Sequence, residues 1–139
     1  ASYQHISIVS AGNYQVVVDT RDFYNITCAI TPVDFTVNSL CIVGDATPTP
    51  WSLGTYPMTR TAPNRFEWTG TLNAGTFRLN TVATDWFPSL MKAIPGGNVV
   101  YVPNGSYNAE FHDHFSVASP GAYTLTVDLS DRSAVSVTY

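Results

Sequence analysis

Apolar and polar residues alternate along much of the chain, as they do between residues 65 and 72. There Phe66, Trp68 and Leu72 fall on one face, while mostly polar side chains occupy the other. Because successive side chains of a strand point to opposite sides, this period of two predicts a half-buried strand with Trp68 in the core. The Asn-Ala-Gly sequence at residues 73–75 is typical of a hairpin turn.

The next segment, residues 76–82, has the same alternation. Phe77 and Leu79 are predicted to point to one side, and Arg78 and Asn80 to the other. The polar side of this strand is therefore a candidate for hydrogen bonding to a ligand. The alternative for Arg78 is an ordinary solvated charge on a strand.

An apolar run at residues 40–43 predicts a strand buried on both faces, followed by a stiff loop. Gly44 allows a sharp exit, and Pro48 and Pro50 each fix φ and lack a backbone N–H. Trp51 then stands at the end of this loop. It is predicted to be a rigid apolar platform that loses little entropy on binding. The alternative is that Trp51 folds back as a lid on the core.

A second indole, Trp86, lies in a loop that follows the strand carrying Arg78. Residues 89–94 are expected to form at most one helical turn before the Pro-Gly-Gly sequence at 95–97, and residues 99–102 a strand. About seven or eight short strands with frequent turns predict an all-β fold, an immunoglobulin-like β-sandwich.

Composition agrees with this fold class and excludes some partners. The chain has one Lys, two Glu and nine Pro, which disfavours long helices. Its net charge is −4, whereas nucleic-acid binding needs clustered Lys and Arg, so no nucleic-acid partner is expected. No apolar run approaches the roughly 20 residues of a membrane-spanning helix.

An internal repeat defines the expected domain organisation. Residues 5–30 align without gaps on residues 114–139, with eight identities in 26 positions. We therefore interpret residues 1–31 as the closing strands of a preceding repeat domain, residues 32–35 as a linker and residues 36–139 as a complete domain. Such closing strands expose an apolar face, so a dimer or strand exchange through them is expected. The alternative is a chance likeness of two hairpins.

Other reactive residues predict no further chemistry. The His-Asp-His sequence at 112–114 has metal-like spacing but no third His or Cys ligand nearby, so no metal or other cofactor is expected. Glycoside hydrolysis needs two opposed carboxylates, and Glu67 and Glu110 are the only glutamates, so no catalytic site is predicted. Cys28 and Cys41 are compatible both with a disulfide and with two buried free thiols.

The order of these motifs resembles the carbohydrate-binding repeats of SusE/SusF-type outer-membrane starch-binding lipoproteins of Bacteroidetes. A more distant similarity links it to glycogen-binding modules. The resemblance covers residues from about 36 to 139, and residues 1–31 resemble the end of one more repeat. It is carried by Val-Gly-Asp-Ala-Thr-Pro at 43–48, Trp51, Pro-Met-Thr-Arg at 57–60, residues 66–72, Ala-Gly-Thr-Phe-Arg-Leu at 74–79, and Trp86.

The resemblance implies that two loop aromatics, Trp51 and Trp86, bracket a glucan while Arg78 bonds its hydroxyls. An indole stacks on the C–H face of a pyranose, and amide or cationic groups bridge hydroxyls, so Asn80 and Lys92 complete the expected set. The implied ligand is starch or malto-oligosaccharide. The implied location is the bacterial outer-membrane surface, in a glycan-uptake complex. The long excursion at residues 98–109 departs from the family pattern.

Two further functions fit the same sequence. One is a structural spacer repeat without a ligand, and the other is an accessory module of a glycan-degrading enzyme. A binding module leaves both indoles partly exposed at one cleft, whereas a spacer buries them. Exposure of Trp51 and Trp86 therefore separates the spacer from the other two functions.

Overall fold

The fold is all-β, as the alternation predicts. In the described part of the chain all regular structure is β-strand, and no helix occurs that is long and apolar enough to cross a membrane. The chain divides into two compact units, Ala1–Thr36 and Val37–Tyr139. The computed structural model describes residues 14–22, 26–32, 37–131 and 134–139.

The first unit contains an antiparallel hairpin of β1 (Tyr14–Asp19) and β2 (Thr27–Pro32). Val18 lies opposite Cys28 in this pair. The first positions of the predicted repeat, residues 5–13, lie outside the described residues, as does most of the predicted linker.

Eleven strands are described in the second unit, and they form two antiparallel sheets of seven and four strands. The larger sheet contains β3, β4 and β7 to β11, and the smaller has the order β13-β12-β6-β5. The strands are β3 (Cys41–Val43), β4 (Tyr56–Pro57), β5 (Thr59–Ala62), β6 (Arg65–Leu72), β7 (Gly75–Asn80), β8 (Ser89–Ala93), β9 (Val99–Val102), β10 (His112–Asp113), β11 (Phe115–Val117), β12 (Gly121–Asp128) and β13 (Ser136–Thr138).

The hairpin predicted at residues 73–75 is wrong, because the chain changes sheets there. β6 pairs with β5 and β12, whereas β7 pairs with β3, β8 and β11. The backbone N–H of Asn73 donates to the carbonyl of Ala46 at 2.7 Å, which ties the connection to the loop after β3. The turn sequence was compatible with either connection, and only strand pairing decides between them.

Residues 89–94, which were expected to form at most one helical turn, form none. This segment forms β8, which pairs with β9 on one edge and with β7 and β10 on the other. Leu90 and Met91 are fully buried in it. Strand partners on both edges outweigh the weak local preference of a short apolar run.

Buried side chains from both sheets form the core of the open sandwich. Phe77 and Phe115 stack at 5.2 Å between ring centres. Trp68 lies on the same face of β6 as its buried neighbours, as predicted, but it is only half-buried and meets Tyr56 edge-on. Other fully buried residues are Leu40, Ile42, Phe66, Leu72, Leu79, Leu90, Met91, Leu125 and Val127.

Candidate functional site

Trp86 and Trp51 belong to a connected group of aromatic and cationic side chains in the second unit. The guanidinium carbon of Arg78 lies 5.6 Å from the ring centre of Trp86 and 4.4 Å from that of Phe87. The ring of Trp51 meets that of His114 edge-on at 5.7 Å, and His114 interacts electrostatically with Arg78. The Arg78 cluster comprises Arg78, Trp51, Trp86, Phe87, Tyr107, His112 and His114.

The loop that carries Trp51 is bonded to the start of β7. The carbonyl of Gly44 accepts the N–H of Trp51 at 3.1 Å, and the Asp45 carboxylate accepts the Thr76 hydroxyl at 2.8 Å. A Cβ on Gly44 would lie 2.1 Å from the carbonyl oxygen of Thr76, so only glycine permits this close approach. The loop is thereby fixed two residues from Arg78.

Trp51 is held in a strained and exposed conformation. Its φ is 55°, in the left-handed region that a bulky residue rarely adopts. Its side chain is not folded into the core, since 41% of the residue is exposed. Backbone strain of this kind costs about 1–3 kcal/mol and concentrates at functional sites, so the outlier supports a binding role for Trp51.

The loop that carries Trp86, residues 81–88, is anchored by the end of β7. The Asn80 amide donates to the carbonyl of Asp85 at 2.8 Å, and the Ser89 hydroxyl donates to Asn80 Oδ1 at 3.1 Å. The Asp85 carboxylate accepts the N–H of Trp86 at 2.7 Å. These bonds fix the loop while 43% of Trp86 remains exposed.

Arg78 is a buried cation, contrary to the solvated alternative. Only 6% of the residue is exposed, and its buried Nε–H reaches no acceptor among the described residues. Burial lowers the pKa of its guanidinium from the ordinary value. The rings of Phe87 and Trp86 present their negative faces to the cation and offset part of the lost hydration.

His114 lies where two strand pairs meet. It separates β10, which pairs with β8, from β11, which pairs with β7. Burial and the positive charge of Arg78 lower the pKa of His114, while Asp113 and Asp45 act in the opposite direction. The lowered pKa favours the neutral imidazole, which offers one donor and one acceptor.

The predicted excursion at residues 98–109 returns to the Arg78 cluster through Tyr107. The phenol ring lies 5.5 Å from the ring of Phe87 and 6.1 Å from that of His112. His112 Nδ1 lies 3.1 Å from the backbone N of Asn108, which holds this loop close to β10.

Asn80 is not available as the direct ligand contact that the sequence predicted. It is fully buried, and its amide is engaged by Asp85 and Ser89. Its role is to position the Trp86 loop. Lys92 lies on β8 opposite Asp113, and its side chain makes no hydrogen bond, ion pair or ring contact with any described residue, so the structure does not join it to the Arg78 cluster.

Sequence reasoning missed Phe87, Tyr107 and His114. Phe87 is adjacent to Trp86 and His114 belongs to the His-Asp-His sequence, but neither position indicates a ring contact by itself. Their contacts depend on how three loops converge, which local patterns do not report. Trp51, Trp86 and Arg78 are the predicted residues that the structure brings into this group.

The described residues contain no group of three or more His, Cys, Asp or Glu side chains arranged to hold a metal ion. Cys28 and Cys41 are both free thiols, the first exposed and the second buried. No family model, curated protein or solved structure matches this chain.

Proposed function

We propose that this chain is a non-catalytic glycan-binding module whose ligand stacks on Trp51 and Trp86. The observation that carries the proposal is the pair of indoles, each more than two-fifths exposed, near one buried arginine. Trp86 contacts the guanidinium of Arg78 directly, and Trp51 contacts His114, which interacts electrostatically with Arg78. Exposed aromatic platforms beside a hydrogen-bonding cation match the two surfaces of a pyranose, its C–H face and its hydroxyl rim.

The rigidity of both loops supports binding over a purely structural role. Each indole is held by backbone hydrogen bonds rather than by burial of its ring. A platform that is ordered before binding loses little entropy when the ligand arrives. A spacer gains nothing from an exposed tryptophan held in a strained backbone conformation, whereas a binding site does.

Starch or malto-oligosaccharide is the ligand class that the sequence resemblance favours, with the module placed at the bacterial outer-membrane surface in a glycan-uptake complex. An accessory module of a glycan-degrading enzyme needs the same site. The uptake-complex module and the accessory module differ only in the other domains of the protein to which the module belongs.

Calorimetric titration of the full chain tests the proposal, with maltoheptaose, a cyclic glucan and an unrelated β-glucan as ligands. A shallow site with two rings is expected to bind in the micromolar to millimolar range, roughly −4 to −8 kcal/mol. Binding of the α-glucans alone supports the favoured class. Absence of heat with all three ligands supports the spacer instead.

Two substitutions locate the site. Trp51→Ala and Trp86→Ala are each expected to weaken binding about tenfold or more, which corresponds to about 1.4 kcal/mol or more. Trp68→Phe is the matched control, since Trp68 lies on the smaller sheet, and it should leave the affinity unchanged. Equal loss of affinity in all three variants would argue against the assigned platforms.

The Trp51→Gly variant tests whether the ring of Trp51 is a binding platform or a lid on the core. Glycine adopts a φ of 55° without penalty, so this change removes the ring and relieves about 1 kcal/mol of backbone strain. Binding should weaken about tenfold or more, as in Trp51→Ala, while the free energy of unfolding is unchanged or higher. A large drop in stability would mean that the ring covers the core.

A further inference from the structure

We propose that the glycan bound at the Arg78 cluster carries an anionic group, a carboxylate or a phosphate ester, that pairs with Arg78. This inference rests on the proposed function and narrows its ligand class. It derives from an imbalance of charge in the site, because the buried Arg78 lies among aromatic rings and no described residue supplies its counter-ion.

No carboxylate of the described residues pairs with Arg78. The ion pairs found there are Arg21 with Asp19 in the first unit and Arg65 with Asp128 on the smaller sheet of the second unit. Yet Arg78 is more than nine-tenths buried, and its Nε–H finds no acceptor in the part of the chain that the structure describes.

The aspartates nearest the Arg78 cluster have other partners. Asp45 accepts the hydroxyl of Thr76 at 2.8 Å, and Asp85 accepts the N–H of Trp86 at 2.7 Å. Asp113 accepts the N–H of His114 at 2.7 Å. Asp45 is thus bonded to β7, and the other two carboxylates are bonded to the backbone N–H of the next residue, rather than to the guanidinium.

Removal of a lone charge from water is costly, and stacking on rings offsets only part of that cost. A neutral hydroxyl can accept a hydrogen bond from Arg78, but it leaves the charge uncompensated. An anionic oxygen group supplies both the acceptor and the opposite charge, and a guanidinium can bind such a group through two parallel hydrogen bonds. The exposed faces of Trp51 and Trp86 remain available to stack on the sugar rings that bear it.

A matched ligand series tests the inference on the full chain. The series contains maltoheptaose, the same heptasaccharide with its terminal C6 oxidised to a carboxylate, the methyl ester of that acid, and the C6 phosphate ester. The acid is expected to bind at least tenfold more tightly than its methyl ester at low salt, because the ester keeps the sugar rings and the carbonyl but has no charge. Comparison of the acid with the C6 phosphate ester shows which anionic group the site prefers.

The outcomes distinguish this inference from the proposed function. Equal affinities for acid, methyl ester and maltoheptaose overturn the inference and leave glycan binding intact. Absence of binding by every member overturns both. Tighter binding of either anionic ligand supports the inference.

Two further measurements locate the effect at Arg78. The preference for the acid over its ester should shrink as salt rises from about 0.05 to 0.5 M, since screening weakens an ion pair, and this requires no variant. In Arg78→Gln the ratio of the two affinities should approach one. Arg60→Gln removes an equal charge from an exposed position on β5, and it should keep the ratio. Retention of the preference in a folded Arg78→Gln variant, or its insensitivity to salt, overturns the inference.

Discussion

The hairpin β1–β2 of the first unit and the hairpin β12–β13 of the second have the same strand register when 109 is added to the residue numbers of the first. Val18 lies opposite Cys28, as its counterpart Val127 lies opposite Val137. The turn also repeats, because Asp19 accepts the N–H of Arg21 as Asp128 accepts that of Ser130.

The surroundings of the two hairpins differ. Val16 and Val18 are 55% and 54% exposed, whereas their counterparts Leu125 and Val127 are fully buried. β12 pairs with β6 along its whole length, and the described residues give β1 no partner besides β2. A two-stranded hairpin is marginally stable by itself, so burial here comes from the third strand and the opposite sheet rather than from the hairpin sequence.

The largest expected contrast is in thiol reactivity. Exposed Cys28 reports on the first hairpin, while buried Cys41 lies in β3 between β4 and β7. Cys28 should react at once with a chromogenic thiol reagent. Cys41 should react at least about a thousandfold more slowly than Cys28, because its reaction requires the sandwich to open. Burial also raises the pKa of the Cys41 thiol.

Counting reactive thiols with and without denaturant measures this contrast. One fast thiol is expected in buffer and two in denaturant, and the Cys28→Ser variant should lose the fast one. Two fast thiols in buffer would show that the second unit opens as readily as the first.

Truncation of equivalent core-face residues should give the next largest difference. Leu125→Ala removes a fully buried side chain and is expected to cost about 2–5 kcal/mol. Val16→Ala, at the repeat-equivalent position, is expected to change stability by no more than about 0.5 kcal/mol, since that side chain is exposed. Urea unfolding followed by tryptophan fluorescence reports on the second unit, which contains all three tryptophans. Similar losses in both variants would mean that the first hairpin is also covered.

A smaller loss of stability is expected from a substitution in β6, the strand that pairs with β12. A Cβ on Gly70 would lie 2.4 Å from the Trp68 ring, so Gly70→Ala should displace that ring and cost about 1–3 kcal/mol. At Gly121, in β12, the nearest atom to a new Cβ is 3.6 Å away, which is ordinary contact. Gly121→Ala is therefore the matched control and should be nearly neutral in the same urea assay. Equal costs for the two changes would argue against the Trp68 contact.

The local hydrophobic pattern was sufficient to predict some strands and not others. β6 begins and ends where the period of two begins and ends, at Arg65 and Leu72, and β9 spans the predicted residues 99–102. Neither strand depends on a distant choice of partner for its hydrophobic pattern. β8 is different, because the adjacent residues Leu90 and Met91 fit no alternation and both are buried. Successive side chains of a strand point to opposite faces, so both faces of the sheet are covered at this strand.

The site could be predicted only in part, for a similar reason. Trp51 and Trp86 follow strands that end in stiff loops, and Arg78 lies on the strand between them, so a local pattern suggests their roles. The burial of Arg78 and Asn80 is different, because it arises when residues 81–88 fold over the polar side of β7. Alternation with a period of two predicts the face of the strand on which a side chain lies. It does not predict which other residues cover that face.

The smallest expected effect is the loss of stability in acid that depends on Asp128, compared with its repeat-equivalent residue Asp19. Hydrogen bonds from Ser130 and the guanidinium of Arg65 lower the pKa of Asp128 to about 2, from an ordinary 3.8. A carboxyl with a lower pKa in the folded state contributes stability above its unfolded pKa and loses that contribution as pH falls. The urea midpoint of the second unit should therefore decrease between about pH 4 and pH 2. In Asp128→Asn this decrease should be smaller but not absent, since the pKa of Asp45 is lowered as well, mainly by the backbone N–H of Thr76.

The pKa of Asp19 is also lowered, by Arg21 two residues along in the first unit. Asp19→Asn should therefore leave the acid profile of the second unit unchanged, and a shift there equal to that of Asp128→Asn would mean that the two hairpins share one cooperative transition.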